Sequence, residues 1–139
     1  MEDSQLICAY LDRLDGKPRL HEPLLESDWA YRRLEASARS MCEGICVWVR
    51  QMHLPESERS PTVLAHEVAR SGRMADVFEA RVSDPLMQGP PRMAHLILAV
   101  SLDVARKRGM GDLTDGRPQL ASWMRRIADL PGMRATAMP

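Results

Sequence analysis

MAHLILAVSLDV, Met93 to Val104, is the stretch that decides the fold. Its apolar residues, Met93, Leu96, Ile97, Leu98, Val100, Leu102 and Val104, do not keep to one stripe of a helix. That is the pattern of a helix enclosed on nearly every side. At about 12 residues it falls short of the roughly 20 needed to cross a bilayer. It is therefore expected at the centre of a domain, with amphipathic segments packed around it.

Working outward, Arg106-Lys107-Arg108 and Gly109 close this helix, the cations lying where the helix dipole is negative. Before it, Asp84 to Pro91 holds three prolines and a glycine and reads as a loop. Upstream, Ser60-Pro61 signals a helix start, and Leu64, Val68, Ala75, Phe78 and Val82 are its expected inner face. Ser71-Gly72 in the middle of that helix is the expected point of a close crossing. A long helix is expected from Ser27 to Leu54, with Leu34, Ala38, Met41, Ile45, Trp48 and Met52 spaced four and three residues apart as one seam. Pro55 ends it. Nearer the start, Ser4 is the expected N-cap of a helix carrying Leu6, Ile7, Tyr10, Leu11 and Leu14, stopped by Gly16. Lys17 to Pro23 reads as a linker. Downstream, Pro118 opens a helix with Leu120, Trp123, Ile127 and Leu130 as its stripe, before Pro131-Gly132.

Strictly alternating β-branched or aromatic runs are missing, so the fold class is all-α, a helical bundle. A chain of 139 residues with 45% hydrophobic content suffices for one core and is not a disordered composition. Nineteen basic and nineteen acidic residues cancel, which argues against nucleic-acid and anionic-membrane partners. The polar opening MEDSQ is not a signal peptide, and three cysteines are no disulfide framework, so the cytoplasm is the expected compartment. Cys42 and Cys46 lie one helical turn apart with His53 further on, but the ligand set of a metal site is incomplete; they are expected as buried structural thiols, with no metal. His95 is expected as a hydrogen-bonded core histidine. No phosphate loop, triad or paired-carboxylate motif is present, so no catalytic residue is assigned.

Three segments together resemble one family. DSQLICAYLDRLDGKPRL (3–20) resembles the end of the thioredoxin-like half of bacterial glutathione S-transferases. ERSPTVLAHEVARSGRMADVFEARV (58–82) resembles the second long helix of their all-helical half. GRPQLASWMRRIADLPGMRAT (116–136) is similar to its close, with a Leu-x-x-Trp helix and a Pro-x-x-Arg turn. The resemblance implies residues 1–23 as a remnant helix and linker of a thioredoxin-like domain, and 24–139 as the helical C-terminal domain. Most of the thioredoxin-like half, with the Tyr, Ser or Cys that activates glutathione sulfur, has no counterpart here. The family's Ser/Thr-x-x-Asp capping box falls on Arg92 and His95, so its reciprocal caps are expected to be lost.

The resemblance further implies glutathione as substrate, its γ-glutamyl end held by Asp3 and Ser4. A helix N-terminus offers N–H donors to a carboxylate, although a plain cap would use the same two residues. It implies an apolar pocket for a small electrophile along Met41, Ile45, Trp48 and Met52, positions that helical spacing alone assigns to core. A homodimer is implied as well. The function expected is a glutathione transferase-type helical domain for apolar co-substrate binding and dimerisation with little conjugating activity as given; the alternative is a non-enzymatic dimerising interaction module.

Overall fold

The computed structural model describes residues 2–21 and 29–137. Its helices are α1 (Ser4–Leu11), α2 (Trp29–Met52), α3 (Pro61–Arg81), α4 (Pro85–Gln88), α5 (Met93–Lys107), α6 (Pro118–Ala128) and α7 (Pro131–Ala135), with a 3-10 turn at Glu56–Glu58. There is no strand among the described residues, and the chain is an all-helical bundle. The expected start of the second helix at Ser27 and the boundary after Pro23 lie outside the described residues.

α2 packs most extensively against α5 and then against α3, and α6 closes the bundle against α3 and α5. The α2 seam is buried from Leu34 through Ala38, Met41 and Ile45 to Trp48, while Met52 at its end is 37% exposed. α5 is central, but it is not enclosed all round. Its buried face is Ala94, Leu98, Ala99, Ser101, Leu102 and Ala105, whereas Val100 is exposed and Leu96, Ile97 and Val104 are half-buried. Alanine and serine occupy the inner positions, which sets how near a neighbouring helix lies. Counting apolar residues overlooked these small ones.

The inner face of α3 also differs from expectation. Val68 is exposed, and Glu67 and Ser71 are buried beside Ala75 and Phe78. The polar pair is accommodated at the α2–α3 crossing. Arg70 donates from Nη1 to Glu67 Oε2 (3.1 Å) and from Nη2 to the carbonyl and hydroxyl of Ser40 (2.8 and 2.6 Å). A partly buried carboxylate is tolerable only with such a partner. The close approach occurs at Gly44 on α2: a Cβ there would press into Arg70 Nη1 and Glu67 Oε2, whereas one at Gly72 meets open space. The expected crossing at Ser71-Gly72 is therefore corrected to Gly44.

Asp84 to Pro91 is not all loop. Asp84 caps α4 by accepting the Leu86 N–H (2.9 Å), and Pro85 takes the first helical position. Ser60 caps α3 as expected, accepting the Val63 N–H at 3.3 Å ahead of Pro61. In α1 the cap is Asp3, not Ser4: Asp3 Oδ1 accepts the Leu6 N–H (2.9 Å), and Ser4 is the first helical residue. α1 ends at Leu11, and Gly16, at φ 70°, closes the turns beyond it. α6 has no local side-chain cap at Arg117. Glu79 of α3 accepts the N–H groups of Gln119 (3.2 Å) and Leu120 (2.6 Å) instead.

The start of α5 corrects a further expectation, because half of the reciprocal cap survives in other chemistry. His95 Nδ1 accepts the Arg92 N–H (2.9 Å) where an aspartate would serve in the usual box. Nε2 lies 2.8 Å from the Leu86 carbonyl and donates to it, which fixes the neutral tautomer with the proton on Nε2. His95 is thus the hydrogen-bonded core histidine expected. Its pKa is lowered, chiefly because burial penalises the imidazolium.

Two tests follow from these contacts. Gly44→Ala must displace the side-chain ends of Arg70 and Glu67, and is expected to lower stability by about 1 kcal/mol through the hydrogen bonds between them and to Ser40 that this disturbs. Gly72→Ala, with space for its methyl, is expected to gain up to about 1 kcal/mol from helix propensity; urea midpoints of the two variants compare them. For His95, a folded pKa below the unfolded value of about 6.5 means that its contribution is complete above that pH and lost as pH falls toward the folded value. The urea midpoint is expected to drop between about pH 7.5 and pH 5.5 in the native sequence and to drop less in His95→Asn.

Candidate functional site

The expected glutathione contacts Asp3 and Ser4 stand at the exposed N-terminus of α1. Asp3 directs one carboxylate oxygen into its own helix as the cap, and Ser4 follows it with its side chain exposed. A ligand carboxylate approaching this end meets the positive pole of a helix of 8 residues. It also meets the negative charge of the cap.

The expected apolar pocket residues are placed differently from one another. Met41 and Ile45 are 1% exposed and Trp48 is 5% exposed, the first two within the main hydrophobic cluster. Met52 alone offers surface to solvent. The four share one seam of α2, and that seam is turned into the bundle. None of them lines the cleft described next.

That cleft lies between α1, the segment after it and the first half of α2, and encloses about 690 Å³. Its back wall is built by Asp12. The carboxylate accepts the backbone N–H groups of Arg19 (3.1 Å), Leu20 (3.0 Å) and His21 (2.7 Å), folding the segment after α1 back on the helix. These bonds hold the Asp12 pKa down although its burial opposes them. Arg13 adds donors to the Ala9 and His21 carbonyls (3.0 and 3.1 Å). The His21 ring sits 3.5 Å from Asp12, too far for a hydrogen bond, and its two buried nitrogens have no hydrogen-bond partner.

The front wall is α2. Tyr31 accepts the Ala94 N–H through its hydroxyl (3.3 Å), and Arg92 lies over its ring at 4.6 Å. Burial raises the Tyr31 pKa, so the phenol stays neutral. Glu35 holds Arg39 through its Nε and Nη2 (3.0 and 2.6 Å), one turn along the same helix. At the rim the Trp29 indole is 66% exposed, with the Arg32 guanidinium 5.6 Å from its centre. Sequence reading missed this cleft. Its only signal was the Arg32-Arg33 pair ahead of Glu35 and Arg39, which by itself reads as a solvated face.

The expectation of buried thiols at Cys42 and Cys46 is corrected: Cys46 is exposed and Cys42, like Cys8, is half-buried, and all three are free. Partial desolvation and then the neighbouring Cys42 push the Cys46 thiol up in pKa, so it is a poor thiolate source. Among the described residues no group of three or more His, Cys, Asp or Glu could hold a metal ion. No described helix is long and apolar enough to cross a membrane.

No protein-family model matches the chain, and no curated protein does. Solved structures do. A glutathione transferase family member from Pseudomonas fluorescens Pf-5, with bound S-(propanoic acid)-glutathione, superposes with a TM-score of 0.86 at 23% identity, over 100% of this chain and 72% of that one. A glutathione S-transferase from Methylobacterium radiotolerans, in complex with glutathione sulfonate, gives 0.77 at 16% identity, over 98% of this chain and 66% of that one. Glutathione transferase F7 from Populus trichocarpa gives 0.66 at 18%, over 97% and 68%. At these identities the likeness is one of fold. The match falls on the helical C-terminal part of the larger chains, and the chain described here has the glutathione transferase fold of that part.

Proposed function

We propose that this chain works as a glutathione transferase-type helical domain that binds and assembles, with little conjugating activity of its own. Residues 1–23 are read as the closing helix and linker of a thioredoxin-like unit, and 24–139 as the helical domain. One observation carries the assembly role: α1 holds out Leu6 (56%), Tyr10 (55%), Leu11 (56%) and, just beyond it, Leu14 (63%) to solvent. A contiguous apolar face of this kind favours a partner, because covering it removes apolar area from water at about 25 cal/mol per Å². The partner proposed is a second copy of the chain. Three free cysteines fit a reducing, cytoplasmic setting.

A second reading keeps substrate binding at α1 and α2. The exposed N-terminus of α1, with Asp3 and Ser4, is the observation that favours it. Glutathione would place a carboxylate at that helix end, and an apolar electrophile would meet α2 first at Met52, since Met41, Ile45 and Trp48 are enclosed. The reaction would be attack of the glutathione thiolate on the electrophile, with the lowered thiol pKa as its driving feature. This chain then supplies contacts only.

Sedimentation velocity across a concentration series separates the two. Self-association is expected for the native sequence and its loss for Leu6→Glu combined with Leu14→Glu; a strict monomer at the highest concentration overturns the assembly role. Calorimetric titration with glutathione tests the second reading. Binding that weakens in Asp3→Ala and Ser4→Ala supports it, and equal affinity in all three proteins removes those residues from the site.

A further inference from the structure

We infer that Cys42 and Cys46 on α2 form a two-thiolate site for a soft, two-coordinate metal ion, the chemistry of Cu(I). The pair sits in the second half of the helix, on the side turned away from the buried seam of Met41, Ile45 and Trp48. Cys46 is exposed together with Glu43, Val47 and Arg50, and Cys42 is half-buried, so the pair is reached from solvent. Both thiols are free.

The spacing carries the inference. Residues four apart on a helix stand one above the other, with Cβ atoms about 5–6 Å apart. A disulfide needs about 3.5–4.5 Å, so a direct bridge would strain this helix. The two thiols nevertheless lie within reach of a mutual hydrogen bond. An ion held about 2.3 Å from each sulfur, the length of a zinc–thiolate bond, spans up to about 4.6 Å between them. That span fits one helical turn where a sulfur–sulfur bond does not. Thiolates select soft ions, Cu(I) among them. A tetrahedral ion is disfavoured, because it takes four ligands, and among the described residues no group of three or more His, Cys, Asp or Glu is available to hold one. Binding breaks two S–H bonds, forms two Cu–S bonds and releases two protons to solvent, with no change of oxidation state. The bound unit carries a single negative charge. Arg50, one turn beyond Cys46, favours that charge, and Glu43 opposes it. Without a metal ion Cys46 keeps its proton and is quiet toward electrophiles; an ion that displaces the proton recruits it as a ligand.

The test uses the full chain, reduced and kept free of oxygen, with Cu(I) supplied as its coloured bicinchoninate complex. The native chain is expected to take about one copper ion per chain from that complex, and Cys8→Ser, altered on α1, to do the same. Cys46→Ser, at an exposed position, is expected to weaken Cu(I) by about a hundredfold or more, because one thiolate cannot chelate. Cys42→Ser should lose as much while keeping its helical circular dichroism. X-ray absorption at the copper edge should show a two-coordinate ion with sulfur neighbours alone, and Zn(II) should not compete. Affinity unchanged in Cys46→Ser overturns the inference. Equal affinity for Zn(II) does the same, since it would mean a tetrahedral site. Loss of binding in Cys8→Ser would bring α1 into the ligand set and overturn the two-thiolate site. Copper-dependent dimerisation that disappears in Cys46→Ser would place the ion between two chains, which overturns a site on one helix.

Discussion

The first N–H groups of a buried helix have no partner within that helix, and burying them unpaired costs a lost hydrogen bond each. α5 starts inside the bundle, and the structure is arranged around satisfying that end. The Met93 N–H reaches the Leu20 carbonyl (3.4 Å), the Ala94 N–H reaches the Tyr31 hydroxyl, and the Arg92 N–H reaches His95. These acceptors come from the segment after α1, from α2 and from α5 itself. The far side of the His95 ring then grips α4 at Leu86. One helix end thereby fixes how four parts of the chain meet.

The cleft is a by-product of the same constraint. To bring Leu20 to Met93, the chain must turn back after α1, and Asp12 makes the turn by collecting three backbone donors. α1 is thereby held beside α2 without burying any of its residues. What stays open between them is a trough whose walls carry arginine, and what stays outside is the apolar edge of α1.

Much of the fold was legible in the sequence, because helix periodicity and proline punctuation are local signals. The seam from Leu34 to Trp48, the Ser60-Pro61 start and the Leu120, Trp123 and Ile127 stripe are all where spacing puts them. The misplacements share one cause. Val68 looked inward because it is apolar, yet Glu67 takes the inner position, supported by Arg70 one turn on, which is itself anchored to Ser40 of α2. Gly72 looked like the crossing point, yet the crowded glycine is Gly44, identifiable only once α2 and α3 are side by side. Loss of the Asp in the capping box looked like loss of the cap, yet the imidazole of His95 supplies the acceptor. The cleft was illegible for the same reason: its arginines come from three places in the chain and gather only in the folded bundle.

The start of α6 shows a trade between two helices. Glu79 of α3 takes over the capping that position 117 would ordinarily supply, and that frees Arg117 for other contacts. Its guanidinium reaches back to Asp76 (2.8 Å), to the Gly72 carbonyl (3.1 Å) and to the Leu113 carbonyl (3.0 Å). A serine at 117 would restore a local cap and abandon that grip; an alanine at 79 would leave the helix start bare while the grip remained. The two positions are coupled, because a change at one alters what the other supplies. A replacement that shifts the capping duty back to position 117 therefore also releases α3 from the loop before α6.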